Sequence, residues 1–367
     1  ATGLALGKVQ SGKTMSYTAL IALAADNGYR ATVVLAGTKN PLRQQTYNRL
    51  SHDLQAGRGH LIAFDNPLPH DADVIRRVVS SGDHALIVTL KQRQRIDNVR
   101  QILQTPELRG VPTLVIDDEG DEASLNTQFR RGNQSAVYQS INRLRDVLPL
   151  HAYVAYTATP QANLMIDGID SLSPDFAILV EPGAGYCGGS TFFGEDIERY
   201  VRPISAADGD PAHAAAITPG LTLSIATFLV GCTVRTLRGD GRHLSMLIHT
   251  THYKHQHLQL HAAIGELIRR WEDIARLRDG DPEKQPLLEL VRAAYDDLCQ
   301  TVPTPPTLEE VVRVFPAELS AVETWIVNSL PIGRDPVSTP FRLRNNILVG
   351  GNMLGRGVTL HGLSVTY

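Results

Sequence analysis

A chain of 367 residues with 43% hydrophobic and 20% charged content has the composition of a soluble globular protein of two or three domains, and excludes a disordered or fibrous one. A formal net charge of -3 neither requires nor excludes a polyanionic partner. Three cysteines, Cys187, Cys232 and Cys299, are far apart and outside any CxxC spacing, which argues against a disulfide framework or a zinc site and fits a reducing cytoplasm.

The short run GLAL leads directly into GKVQSGKT, Gly7 to Thr14, and a helical pattern over 13–27 begins at its lysine. Lysine occurs at only six positions, so one placed in a glycine loop stands out. This is the strand-loop-helix context of a phosphate loop. The backbone around Gly7, Gln10, Ser11 and Gly12, with the positive end of the helix, would surround the phosphates of ATP. Lys13 would neutralise the β and γ oxygens, and Thr14 would ligate Mg2+.

Further strands are predicted at 32–37, 60–64, 84–90, 112–117 and 152–158, separated by helices at 41–54, 71–80, 92–104 and 134–148. Strands apolar almost throughout, with helical crossovers between them, predict a doubly wound α/β domain with a mostly parallel sheet. At the end of the first of these strands, TKNPLRQQT (38–46) offers Thr38, Arg43 and Gln44 to a sugar-phosphate backbone. Arg93, Arg95, Arg100, Arg130 and Arg131 read more simply as solvated surface.

The strand at 112–117 runs into LVIDDEGDEAS. An acid at the end of a buried strand is the second element a phosphate loop needs. Asp118 would hold Mg2+ through water while Glu119 polarises the attacking water, with Asp117 the alternative metal ligand if the strand ends one residue earlier. A nuclease site built from the same acids is the rival chemistry, but no nuclease spacing accompanies them. In YTATPQAN (156–163), the hydroxyls of Thr157 and Thr159 stand at a strand end, where they can bond the carboxylates and relay nucleotide state.

From 171 to 215 the sequence turns rich in Gly, Pro, Asp and Ser and reads as a linker or insertion. A helix at 220–238, a strand at 243–250 and a helix at 254–278 follow, then a proline-rich stretch, 281–340, with helical fragments such as LEEVVRVF and SAVETWIV. Strands return at 345–352 and 363–367. The resulting division is a first α/β domain over 1–170, a linker over 171–218, a second domain from 219–280 and 341–367, and a helical insertion over 281–340. The apolar run 221–234 reads as too short and too threonine-rich to span a bilayer. His249, His252, His255, His257 and His261 raise a zinc or manganese alternative, weakened by the lack of Cys, Asp or Glu among them. In GGNMLGRGVTLHGL (350–363), glycines around Arg356 and Gly357 let backbone approach a ligand closely. The missing initial Met suggests an excised domain or an incomplete chain.

Several of these motifs have counterparts in superfamily 2 helicases: DEGD has the shape of a DExD box, TAT the coupling motif, and GRG motif V. Taken in order, GLALGKVQSGKT, AADNGYRATVVLAGTKNPLRQQTYNRL, LVIDDEGDEAS, YVAYTATPQANLMID, FLVGCTVRTLRG, SMLIHTTH and GGNMLGRGVTLHGL resemble the bacterial Z-one (Z1) domain. That family is described as a putative endonuclease-associated domain of restriction and phage-defence operons. The resemblance implies a superfamily 2 ATPase acting on DNA, built of two RecA-like units with ATP and Mg2+ between them. A MORC-type ATPase, a restriction-type nuclease or a methyltransferase would be its partner. It also places the arginine finger of motif VI beyond Tyr367, so that this piece is expected to bind ATP and hydrolyse it poorly. The alternatives are an ATP-switched assembly module for a partner nuclease, or an endonuclease component itself.

Overall fold

The computed structural model describes residues 1–55, 60–124, 135–164, 171–328, 341–351, 360 and 362–367. Arg130, Arg131, Arg356 and Gly357 lie outside the described residues. The chain forms two compact units, Ala1–Gly188 and Gly189–Tyr367.

Unit one runs β1 (Thr2–Gly7), α1 (Lys13–Asp26), β2 (Ala31–Ala36), α2 (Asn40–Gln55), β3 (Leu61–Asp65), α3 (Ala72–Ser80) and β4 (His84–Thr89). It continues through α4 (Arg93–Leu103), α5 (Pro106–Arg109), β5 (Thr113–Asp118), α6 (Ala136–Asp146), β6 (His151–Thr157), α7 (Gln161–Leu164) and β7 (Phe176–Val180). The seven strands pair in parallel in the order β3-β4-β2-β5-β6-β1-β7. Successive side chains of a strand point to opposite faces, so a run such as ATVVLA feeds two cores at once. Val33 and Leu35 pack with Ile96 and Val99 of α4 and Ile141 of α6. Val34 and Ala36 pack on the other face with Tyr17 and Ile21 of α1 and Leu50 of α2. This is the expected α/β layering, with observed strand limits within one residue of those read from the sequence.

Strand β7 lies in the segment expected to be a linker. It pairs with β1 from Gly3 opposite Phe176 to Gly7 opposite Val180. Its five residues are largely exposed at the sheet edge.

Unit two runs α8 (Gly189–Phe193), α9 (Ile197–Tyr200), α10 (Pro219–Leu237), β8 (Leu244–Ile248), α11 (Lys254–Ala275), α12 (Gln285–Cys299), α13 (Leu308–Leu319), β9 (Val322–Val327), β10 (Asn345–Gly350) and β11 (Leu363–Thr366). Its parallel sheet has the order β11-β8-β10-β9. One expectation changes here. SAVETWIV is a strand in its latter part rather than a helix: Val322 to Val327 pair with β10, as suits a segment of Val, Thr, Trp and Ile. Within the stretch read as a helical insertion, Leu287, Val291, Val311, Phe315 and Leu319 belong to the same core as Ile225, Phe228 and Leu229 of α10. The apolar run of α10 extends to 19 residues, long and apolar enough to cross a membrane by length and composition. Those three α10 residues are nevertheless core residues of this unit. Thr218 caps that helix by accepting from Leu221 N, with Pro219 at its first turn.

Candidate active site

The carboxyl ends of β1, β2, β5 and β6 come level with one another: Leu6 lies opposite Thr157, Asp118 opposite Tyr156 and Ala36 opposite Asp118. Residues that follow these strands therefore meet at one edge of the sheet, the usual place for a ligand in a parallel α/β unit.

After β1 the loop turns back on itself, with Ser11 N donating to Lys8 O at 3.2 Å. Gln10 and Gly12 have φ of +53° and +94°. At Gly7, an added Cβ would sit 2.8 Å from Lys13 Cγ and 3.0 Å from Ser11 Oγ, so glycine there leaves room for the lysine stem to fold over the loop. The Lys13 ammonium donates to Lys8 O at 3.2 Å. Ser11 Oγ is buried and has no hydrogen-bond partner among the described residues. From the segment read as a linker, the Tyr186 hydroxyl reaches back and donates to Val9 O at 2.6 Å.

Tyr17, one turn into α1, joins this loop to the acidic turn. Its hydroxyl donates to Asp118 Oδ2 at 3.2 Å. The helix that opens at Lys13 is thus tied to Asp118, one of the expected metal ligands. Burial pushes the Asp118 carboxyl above its usual range, opposed by the Lys91 charge, the Tyr17 hydrogen bond and Lys13. Burial, then the charge of Asp118, also raises the Glu119 carboxyl, with Lys13 pulling it down. Lys13 is therefore electrostatically coupled to both carboxylates.

Asp117 and Asp118 are consecutive strand residues and face opposite ways. Asp117 is fully buried, paired with Lys91 Nζ at 2.7 Å and bonded by the Tyr153 hydroxyl. Its carboxylate is thus taken up inside the protein, while Asp118 is the last residue of β5. Beyond it the turn is tight. Glu119 has a left-handed φ of +54°. Gly120 N donates to Tyr156 O at 2.9 Å, and a Cβ at Gly120 would lie 2.8 Å from Ala155 Cβ. The Thr157 hydroxyl donates to Asp121 Oδ1 at 2.6 Å, the Thr159 hydroxyl bonds Oδ2, and Thr159 N donates to Thr157 Oγ1 at 2.9 Å.

Lys91 is the residue that sequence reading passed over. Its ammonium donates to the carbonyls of Asp118 at 2.7 Å, Glu119 at 2.8 Å and Glu122 at 3.2 Å, besides pairing with Asp117. Its only sequence signal is a lysine just past a buried strand in a chain poor in lysine.

The residues expected to touch nucleic acid are engaged within the protein. Thr38 donates to Glu122 Oε1 at 3.0 Å, and Gln44 donates to Asn48 Oδ1 at 3.0 Å. Arg43 is largely buried and paired with Asp65 at the end of β3, so its guanidinium turns inward rather than toward a phosphate backbone. In unit two, His257 is buried, its Nε2 2.9 Å from Thr251 O, and His261 Nε2 lies 3.0 Å from Thr324 Oγ1. Among the described residues, no group of three or more His, Cys, Asp or Glu could hold a metal ion.

Residues 220–367 match the family model of the Z1 domain. Comparison with curated proteins gave no match. Among solved structures, the Pyrococcus furiosus Hef helicase domain is similar at 11% identity and a TM-score of 0.39, over 100% of this chain and 85% of that one. The DUF1998 helicase MrfA, bound to DNA in its crystal structure, is similar at 12% identity and a TM-score of 0.45, over 97% of this chain and 38% of that one.

Proposed function

We propose that the chain is an ATP-driven, superfamily 2 helicase-like motor acting on DNA in a prokaryotic restriction or anti-phage system. The observation that carries this reading is the meeting of Lys13 with Asp118 and Glu119 at one end of the sheet, with Tyr17 of the helix that opens at Lys13 donating to Asp118. The Z1 match over 220–367 supports the family context.

The residues suit ATP and Mg2+. A glycine loop with an unpaired Ser11 hydroxyl and a lysine folded over it suits phosphate oxygens. One hydroxyl and one carboxylate suit Mg2+, which takes few protein ligands and keeps water and phosphate oxygens for the rest. When bound, Mg2+ neutralises charge on the β and γ phosphates. Lys13 adds a second positive charge there. Glu119, whose carboxyl is raised, accepts the proton of the attacking water more readily than an ordinary carboxylate. Asp121 carries any shift of the turn to Thr157 and Thr159 at the end of β6.

A DNA-stimulated ATPase assay together with triplex displacement tests the reading. The full-length protein should turn over ATP faster with DNA and displace the third strand, and Lys13→Ala in it should lower turnover by about a hundredfold or more. Full DNA-stimulated turnover by Lys13→Ala would sink the site assignment. ATP-dependent assembly with a nuclease, without displacement, would replace the motor by a switch. Metal-dependent DNA cutting that survives Lys13→Ala would replace it by a nuclease.

A further inference from the structure

The ammonium of Lys91 has three protons and sits among four acceptors, the carbonyls of Asp118, Glu119 and Glu122 and the carboxylate of Asp117. Its side chain is 0% exposed, so it cannot touch a substrate. Its backbone is held as well: Lys91 N donates to Gly37 O at 2.8 Å, just past the end of β2. Because β2 lies between β4 and β5, the lysine side chain crosses the end of one strand to reach the turn after the next. Three carbonyls from a stretch of five residues converge on one ammonium only if that stretch is coiled. The left-handed Glu119, a conformation unfavourable for an ordinary residue, is part of that coil. Asp117 makes the burial of the ammonium tolerable, since a lone buried charge is strongly unfavourable.

We infer that Lys91 is the positioning residue of this site: by gathering the carbonyls of Asp118, Glu119 and Glu122 it fixes where the carboxylates of Asp118 and Glu119 stand relative to the phosphate loop. For its consequence in turnover the inference rests on the ATPase reading; for the shape of the turn it does not. The rival explanation is that Lys91 merely neutralises Asp117.

Lys91→Met alone leaves Asp117 buried and unpaired and endangers the fold, so the decisive variant is Lys91→Met combined with Asp117→Asn, which removes both charges. Three quantities are compared with the wild-type chain: the equilibrium dissociation constant for ATP, kcat with DNA present, and hydrogen exchange of amides 118–124. The expected result is ATP affinity within about twofold, kcat lowered about tenfold or more, and exchange of the turn about tenfold faster with the central strands unchanged. A double variant with wild-type kcat, or with a turn that exchanges no faster, overturns the inference and leaves Lys91 as the counter-charge of Asp117. A full-length wild-type protein that hydrolyses no nucleoside triphosphate overturns the ATPase reading instead, and the exchange measurement then decides the role of Lys91.

Discussion

Thr157 and Asp121, 36 residues apart, are joined by a 2.6 Å hydrogen bond in which the threonine hydroxyl donates to the carboxylate. Thr159 holds the other carboxylate oxygen, so the end of β6 and the last acid of DEGD move together. A hydrogen bond to a charged acceptor contributes about 1.5–3 kcal/mol. Thr157→Val should therefore leave basal ATP hydrolysis within about threefold while cutting its stimulation by DNA about tenfold. Equal losses in both, read from titrations of turnover against DNA, would mean that the pair serves the chemical step rather than its coupling.

Gly120→Ala places a methyl group against Ala155, where the added Cβ would lie 2.8 Å from that of its neighbour. Overpacking of this kind costs about 1–3 kcal/mol. Urea denaturation of the variant should show that loss, and an unchanged midpoint would contradict the close approach of the turn to β6.

Arg43 pairs inward with Asp65, so Arg43→Ala should weaken the fold by about 1–3 kcal/mol rather than weaken DNA binding specifically. The slope of log affinity against log salt is the discriminating measurement. It should match that of the wild type; a slope shallower by about one unit would return Arg43 to the phosphate backbone.

His84 supplies a pH dependence. Its Nδ1 lies 3.0 Å from Tyr29 O, which can only accept, so Nδ1 carries the proton and Nε2 accepts from Thr32 Oγ1 at 2.9 Å. Burial pushes this imidazole below its ordinary value of 6.5. The folded ring thus binds its proton later than the unfolded one as pH falls. Its contribution to stability is complete above the unfolded value and is lost as pH drops from there toward the folded value, at up to about 1.4 kcal/mol per pH unit. Urea midpoints should fall between about pH 7 and about pH 5, and His84→Gln, weaker overall, should show a flatter profile. A variant as pH-sensitive as the wild type would move the effect to another group, such as His151, whose burial lowers it in the same direction.

The turns after β1, β5 and β6 were legible as turns because each is a short stretch at the end of an apolar strand run, where the local backbone is encoded within a few residues. The doubly wound layout was legible for a related reason: runs such as ATVVLA and HALIVT must be covered on both faces, and helical patterns separate them. Strand β9 was not, since VETWIV follows a helical stretch and becomes a strand through its pairing with β10.

By itself, then, the sequence determined which chemical groups are present and where the chain must turn, because glycine spacing, strand apolarity and capping act over a few residues. Only the tertiary structure decided that Asp117 is ion-paired with a lysine while Asp118 is held by a phenol. Asp117 and Asp118 are neighbours of the same type, and what separates them is the face of β5 each occupies and the arrival of Lys91 from the end of β4 and of Tyr17 from α1. Arg43 was settled in the same way, by Asp65 on β3. Burial and pairing of charge depend on partners distant in the chain, and those partners are chosen by the order of strands in the sheet.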